Sequence, residues 1–409
     1  MADVLFYPPF PGRRQLFDQL YRSIWNFLPA LSRIGRLIFP YAGDDFALLD
    51  ADQALHMAQV YMSRDFDPAI ADYAPRYAGK IAIVDDDGAD PSKYNTPLKG
   101  IIVWSTQNPA VVAAAHAIAA RTGAEVIHAD PVMVQQETLQ VIAFVYKMFA
   151  ADEIGRMLAD SANRFYRRMP ALQDRPFSAF GNGPSLAAVV EQRKDPGPTL
   201  RAVCNSTIAD EAALAHLNPE ILFCGDPIQH CGCSLYAGRF RADLAKAMAD
   251  PSRLLITQLG YLPYFKEVLP EASHERVVGL GLDRRRTYNV DLKQEFTIAA
   301  TANVFTMLVL PVAFTLSRSV DIYGCDGMPF GKASRPWTHA NEGDYMDKMS
   351  VTHRLHPGFW QRNYEEEFGS YCQDMEEIIT AAEGRGCVIR NRTPSYVPAL
   401  AKRFAADRL

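Results

Sequence analysis

The segment Phe180-Gly181-Asn182-Gly183-Pro184-Ser185-Leu186 carries the sharpest chemical signal in the chain. It follows an apolar run and precedes a helical stretch. Its two glycines let the backbone approach a ligand, and the helix start presents free N–H groups to an anion, which together suit a phosphate or a ribose. A tight strand-to-helix turn without a ligand fits the same residues. Further on, Cys204-Asn205-Ser206-Thr207 closes the next apolar run. Polar side chains there bond a sugar or phosphate beside the glycine turn, or cap the following helix. In Phe223-Cys224-Gly225-Asp226-Pro227-Ile228-Gln229-His230 an acid follows a strand expected to be central. Asp226 is the candidate catalytic carboxylate, as a nucleophile on an anomeric carbon or a base toward an acceptor hydroxyl; the plainer reading is a turn before Pro227.

Other clusters lie downstream. Thr301 and Asn303 open a long apolar helix, placed to cap it and to touch a donor phosphate. Tyr323-Gly324-Cys325-Asp326-Gly327 is another strand end with glycines and an acid, and His353-Arg354-Leu355-His356-Pro357 and Arg390-Asn391-Arg392-Thr393-Pro394-Ser395-Tyr396 follow it. A histidine donating to a phosphate stabilises a departing nucleotide without a metal; Ser395 adds a hydroxyl and Arg390 or Arg392 a positive charge. A satisfied structural histidine is the alternative. Two metal readings compete. His230-Cys231-Gly232-Cys233, with Cys224 and Cys204 nearby, lacks the spacing of paired CxxC knuckles and reads more simply as buried thiols. Asp85-Asp86-Asp87-Gly88 follows the pattern that holds a divalent ion against a diphosphate donor, but it lies in the half without the GNGPS turn and also reads as an acidic solvent loop. No metal or other cofactor is expected.

Such residues need elements that bring them together. From Lys80 onward, Ile81–Val84, Ile101–Trp104, the Ala-rich Val111–Thr122 and Val126–His128 alternate strand and helix, which implies right-handed crossovers and a parallel sheet. Val141–Asp160 reads as a long helix leading out of this first domain. A second α/β series runs through Phe177–Phe180, Leu200–Val203, Ile221–Phe223, Leu254–Ile256 and Val320–Tyr323, with helices at Asp210–Leu217 and Phe240–Ala249. The order suggests two Rossmann-like domains, 1–160 and 161–409, facing a central cleft, with a ligand at the carboxyl ends of the strands.

With 409 residues, two domains are the default expectation, and a net charge of −5 offers no general attraction for nucleic acid. Seven scattered cysteines fit reduced thiols, and the absence of a long apolar run or an export pattern points to the cytoplasm. The stretch from Leu5 to Phe39 is basic and amphipathic, with Leu16, Leu20, Ile24, Leu28 and Leu31 at helical spacing. It suits peripheral contact with the anionic inner-membrane surface, or a helix packed on its own domain.

Taken together, GNGPS, the GCDG strand end, His356-Pro357 and Ser395 resemble the CMP-sugar transferases, a group spanning sialyltransferases and Kdo transferases. In the N-terminal half, the stretch from Gly100 to Ser105, the Ala-rich helix and the stretch from Ala124 to Asp130 look like the opening domain of bacterial β-Kdo transferases that build capsule and lipopolysaccharide O-antigen. The resemblance implies a GT-B-like fold and transfer of Kdo from a CMP-sugar donor to a glycan acceptor, lipid-linked and held by the N-terminal domain. It implies a CMP site made of Gly181, Asn182, Gly183, Pro184, Ser185, Asn205, Ser206, Thr301, Asn303, Cys325, Asp326, Gly327, His356, Pro357 and Ser395. It further implies a retaining mechanism with Asp226 as nucleophile, His356 assisting the departing CMP, and Glu153 as an acceptor-facing candidate. Two other readings stay open: an inverting sialic-acid-type transferase, and a pterin diphosphokinase-like or nucleotide-binding protein, because GNGPS occurs there also.

Overall fold

In Val4-Leu5-Phe6-Tyr7 every residue is buried, and alternate residues belong to different cores. That is the signature of a strand covered on both faces. The computed structural model describes residues 1–60, 64–86, 93–94, 96–283, 288–329 and 350–405, and it is an α/β protein with two parallel sheets. It divides into two units: Met1–Ala150 with Pro227–Arg239 and Asp347–Arg362, and Ala151–Asp226 with Phe240–Met346 and Asn363–Leu409. The chain therefore crosses between units several times, where the sequence suggested a single cut near residue 160.

The sheet of the first unit comprises β1 (Ala2–Tyr7), β2 (Ile34–Tyr41), β3 (Ile81–Asp85), β4 (Leu98–Val103) and β5 (Glu125–His128), in the order β3-β2-β1-β4-β5. All its pairings are parallel, and the order reverses between β1 and β4, as in a Rossmann sheet. The helix Pro109–Thr122 shows why the chain turns where it does. Asn108 caps it by accepting from the Ala110 N–H at 2.9 Å, Pro109 supplies a ready-made first turn, and Gly123 ends it at φ +74°.

The basic N-terminal stretch is built into this unit. It contributes β1, the helix Arg13–Phe27 and β2, and Leu16, Leu20 and Ile24 of that helix are fully buried. The apolar stripe is thus core, and leaves no face for a bilayer. Among the described residues no helix is long and apolar enough to cross a membrane. The long helix expected over 141–160 is two helices, Glu137–Tyr146 and Ala151–Leu172, one in each unit. The second opens on Asp152 and Glu153, acids that favour a helix start through the dipole.

The second sheet has eight strands: β6 (Phe177–Phe180), β7 (Leu200–Cys204), β8 (Ile221–Phe223), β9 (Leu254–Gln258), β10 (Val277–Asp283), β11 (Thr297–Ala299), β12 (Ser319–Tyr323) and β13 (Val388–Asn391). Their order is β11-β10-β9-β8-β7-β6-β12-β13, with parallel pairing throughout. The five strands from β8 to β13 repeat the order of the first sheet, and the reversal falls between β6 and β12. The core runs along the sheet from Phe177, Leu200 and Ile221 to Val320 and Ile389, packed by the helix Tyr364–Glu383 through Phe368, Met375 and Ile379.

Candidate functional site

In a parallel sheet all strands end on one edge. The loops after β6, β7, β8, β11, β12 and β13 therefore share that edge of the second unit, and they carry most of the residues singled out in the sequence. At the strand reversal two turns meet. Gly181 N–H donates to Tyr323 O at 2.8 Å and Gly183 N–H to Gly324 O at 2.7 Å, joining the glycine turn after β6 to the turn after β12. The Ser185 hydroxyl donates to Asp326 Oδ2 at 2.8 Å, and the Ser185 N–H faces the same carboxylate at 3.2 Å. Asn182 reaches the next loop, Nδ2 donating to Ser206 Oγ at 2.9 Å. From beyond β13, Ser395 Oγ donates to Cys325 O at 2.7 Å, and Thr393 Oγ1 accepts the Gly324 N–H at 2.9 Å.

This geometry revises the reason for the glycines. A Cβ at Gly181 would lie 2.6 Å from Gly324 O and 2.7 Å from Cys325 Sγ. One at Gly183 would lie 2.7 Å from Gly324 O and closer still to the Asp326 carboxylate. The bare positions let one turn pack on the other. Gly183→Ala is expected to lower stability by about 1–3 kcal/mol through this overpacking, read as a fall in melting temperature, whereas the exposed helical Gly155 has no atom near an added Cβ and serves as the control.

The helix start is revised too. The helix Ser185–Glu191 is a single short stretch, and its first amide is already capped by Asp326, so the anion at this terminus is the protein's own. Burial pushes the Asp326 carboxyl above its ordinary range, against the bonds from Ser185. Polar capacity remains in the neighbouring loop. Asn205 stands at φ +49°, and its Oδ1, with Thr207 Oγ1, is buried without a hydrogen-bond partner.

Asp226 leaves the same edge at the end of β8, two strands from β6 or about 10 Å by strand spacing. It is half-buried and follows the buried run Ile221–Gly225. Thr301 and Asn303 follow β11, five strands from β6, roughly 24 Å on the same measure. Their bonds are local: Asn303 Oδ1 accepts the Phe305 N–H at 2.8 Å, and Thr301 Oγ1 pairs with Thr306 Oγ1 at 2.9 Å. They cap the segment Phe305–Val309, which brings Met307 and Leu308 beside Gly225.

His356 and Pro357 belong to the first unit, not to the unit of the glycine turn. The His356 side chain is almost wholly buried; Nδ1 is ion-paired with Glu137, and Nε2 lies 3.9 Å from Cys233 Sγ. Arg22 completes the cluster, donating through Nη2 to Leu355 O at 2.6 Å and through Nε to Asp18 at 2.8 Å. Burial alone would pull the His356 ring down; the Glu137 charge and Cys233 outweigh it and hold the value at about 9. A ring so enclosed and so paired has no face for a nucleotide phosphate, which corrects the phosphate-contact role given to it in the sequence. Glu153 lies in the first turn of Ala151–Leu172, in the second unit.

The remaining candidates are structural. Arg390 and Arg392 both pair with Asp321 on β12, at 3.3 and 3.2 Å. Cys204 and Cys325 are buried, and burial raises the Cys204 thiol to about 12, far from a reactive thiolate. Cys231 and Cys233 lie in the first unit, and among the described residues no three His, Cys, Asp or Glu side chains converge as metal ligands. Asp86 is buried beside Lys93 and Tyr94, while Asp87 and Gly88 lie outside the described residues. The roles of Thr393, Glu137 and Arg22 escaped sequence reasoning. Glu137 is 219 positions from its partner His356, and no local pattern marks such a pair. No protein-family model, curated protein or solved structure matches the chain.

Proposed function

We propose that this protein is a glycosyltransferase of the GT-B plan that takes Kdo from a CMP-activated donor and adds it to a surface-polysaccharide acceptor. The observation that carries the reading is the meeting of the GNGPS and GCDG turns at the strand reversal of the second sheet, the place where open parallel sheets bind nucleotides. The resemblance of those turns to CMP-sugar transferases supports cytidine as the base, and the resemblance of the stretches from Gly100 to Ser105 and from Ala124 to Asp130 to β-Kdo transferases supports Kdo as the sugar. The donor lies along the carboxyl edge, from the glycine turn past Asn205 and Ser206 toward Asp226; the first Rossmann-like unit takes the acceptor, which is lipid-linked at the cytoplasmic face of the membrane.

In this reading the Asp226 carboxylate forms a bond to the ketosidic carbon as the bond from that carbon to the CMP oxygen breaks, its electron pair leaving with CMP. The acceptor hydroxyl then attacks the same carbon, passes its proton to solvent water, and releases Asp226 as carboxylate. Two inversions give retention. The buried His356–Glu137 pair has no part in either step.

Nucleotide binding provides the direct test. CMP is expected to raise the melting temperature while UDP, GDP and ATP do not, since a ligand at about 100 times its Kd stabilises by about 2.7 kcal/mol. A response to ATP in place of CMP would transfer the protein to the pterin diphosphokinase-like reading.

A further inference from the structure

The amino edge of the second sheet holds a feature that the transfer reaction does not use. A cavity of about 680 Å³ is lined by Asp160, Asn163, Arg164, Tyr166, Arg167 and Glu275. The helix Ala151–Leu172 runs antiparallel to β10, with Ser161 Oγ accepting the Gly279 N–H at 3.1 Å and Leu158 beside Gly281. This direction sets Arg164 against the turn Glu271–Arg276 that leads into β10. The loops after β6 and β12 lie on the opposite edge.

Arg164 is unusual for a surface arginine. Its side chain is 10% exposed, and Nη1 is buried with no acceptor. Its Nε and Nη2 donate to Glu275 at 3.3 and 3.1 Å, and Arg167 Nη2 donates to the same carboxylate at 3.4 Å. These contacts are longer than the roughly 2.7–2.9 Å of well-formed charge-assisted bonds. Glu275 is itself 68% exposed, so it holds this position weakly. Lys266 adjoins the cluster. Its ammonium is drawn below the ordinary lysine range first by burial and then by the Arg164 charge, with Glu275 and Asp160 opposing. The positive charge of Arg164, Arg167 and Lys266 is thus partly buried and incompletely paired, and it is faced by two acids, the loosely held Glu275 and Asp160.

We propose that this cavity is a binding site for a phosphate group, in which Arg164 and Arg167 grip the phosphate oxygens and Glu275 is the carboxylate it displaces. A phosphate monoester carries about −1.5 to −2 charges at neutral pH and offers three acceptor oxygens, against one charge and two oxygens for Glu275. It takes the donors that Glu275 now occupies, Nε and Nη2 of Arg164 and Nη2 of Arg167, and Glu275 swings into solvent without a buried cost. The group arrives either on a soluble ester or on a lipid headgroup, and the site is independent of the sugar-transfer reading.

Isothermal titration with inorganic phosphate at low ionic strength tests it. Glu275→Gln is expected to tighten phosphate binding about fivefold or more by removing the competitor, and Arg167→Gln to weaken it by a similar factor. Arg167 is 70% exposed, so that variant keeps its fold, and an unchanged melting temperature checks this. Phosphate affinity that is unchanged or lower in Glu275→Gln, or unchanged in Arg167→Gln, overturns the proposal. Cosedimentation with phosphatidylglycerol vesicles then separates the sources. Vesicle binding strengthened by Glu275→Gln and competed by inorganic phosphate assigns a lipid headgroup, and phosphate binding without vesicle binding assigns a soluble ester.

Discussion

Asp226→Ala and Asp226→Asn are expected to abolish sugar transfer, by roughly 10³-fold or more, while leaving CMP affinity within about threefold of the parent. The asymmetry follows from position. Asp226 leaves the carboxyl edge at the end of β8, two strands from the glycine turn, which in the proposed reaction puts it at the sugar end of a donor whose nucleotide end lies at the strand reversal. Removing the carboxylate removes the covalent step and leaves the groups around Gly181–Ser185 and Ser206 in place. Asp226→Asn is the cleaner variant, because it keeps the shape of the side chain while removing the carboxylate. The measurement is CMP release from CMP-Kdo in the presence of acceptor, alongside CMP titration of the same variant. An Asp226→Asn protein with parental turnover removes the nucleophile role. A protein that has lost CMP binding as well removes the layout of the donor along this edge.

His356→Ala should unfold the first unit far more readily, at a cost of about 3–5 kcal/mol, because it strands the Glu137 carboxylate in the core. Glu137 is only 4% exposed, and its Oε2 already has no hydrogen-bond partner. The nearest positive charge left to it is Arg22 at 4.0 Å, which is also bonded to Asp18 and Leu355. The same pair makes a pH prediction. The folded His356 value, about 9, lies above the ordinary 6.5, so its contribution is complete below about pH 6.5 and is lost as pH rises through about 9. By linkage the loss is on the order of 3 kcal/mol. Melting temperature followed from pH 6 to 10 is expected to fall in the parent and to fall less in the double variant His356→Gln/Glu137→Gln, which keeps the hydrogen bond without the charges. Equal slopes in the two proteins would mean that the pair is not the source.

The strand-ending turns were legible in the sequence because each joins an apolar run to a helix within a few residues. Phe177–Phe180 before Gly181, Leu200–Cys204 before Asn205 and Ser319–Tyr323 before Gly324 all fold as strands. The first two strands were not legible in the same way. Leu5-Phe6-Tyr7 is followed at once by prolines, and Ile34–Tyr41 adjoins a basic amphipathic helix, so the whole stretch read as one amphipathic segment, on a membrane surface or packed on its own domain. Only the pairing of Val4 with Leu37 and Gly100 shows β1 to be the middle strand of its sheet. Helix length was misread at residues 147–150, where the Lys147 and Met148 N–H groups close one helix on the Phe144 and Val145 carbonyls and Ala151 begins another.

Local order, set by backbone propensity and side-chain period, determined from the sequence alone that this chain is α/β and that Gly183, Ser206, Asp226 and Asp326 follow strands. Which of them are neighbours was decided by strand order, a long-range property: β6 lies beside β12, about 140 positions later, so Ser185 meets Asp326. The same long-range packing placed His356 in the other unit beside Glu137. A histidine reads alike in sequence whether it faces a phosphate or a buried carboxylate, and only its partner distinguishes the two.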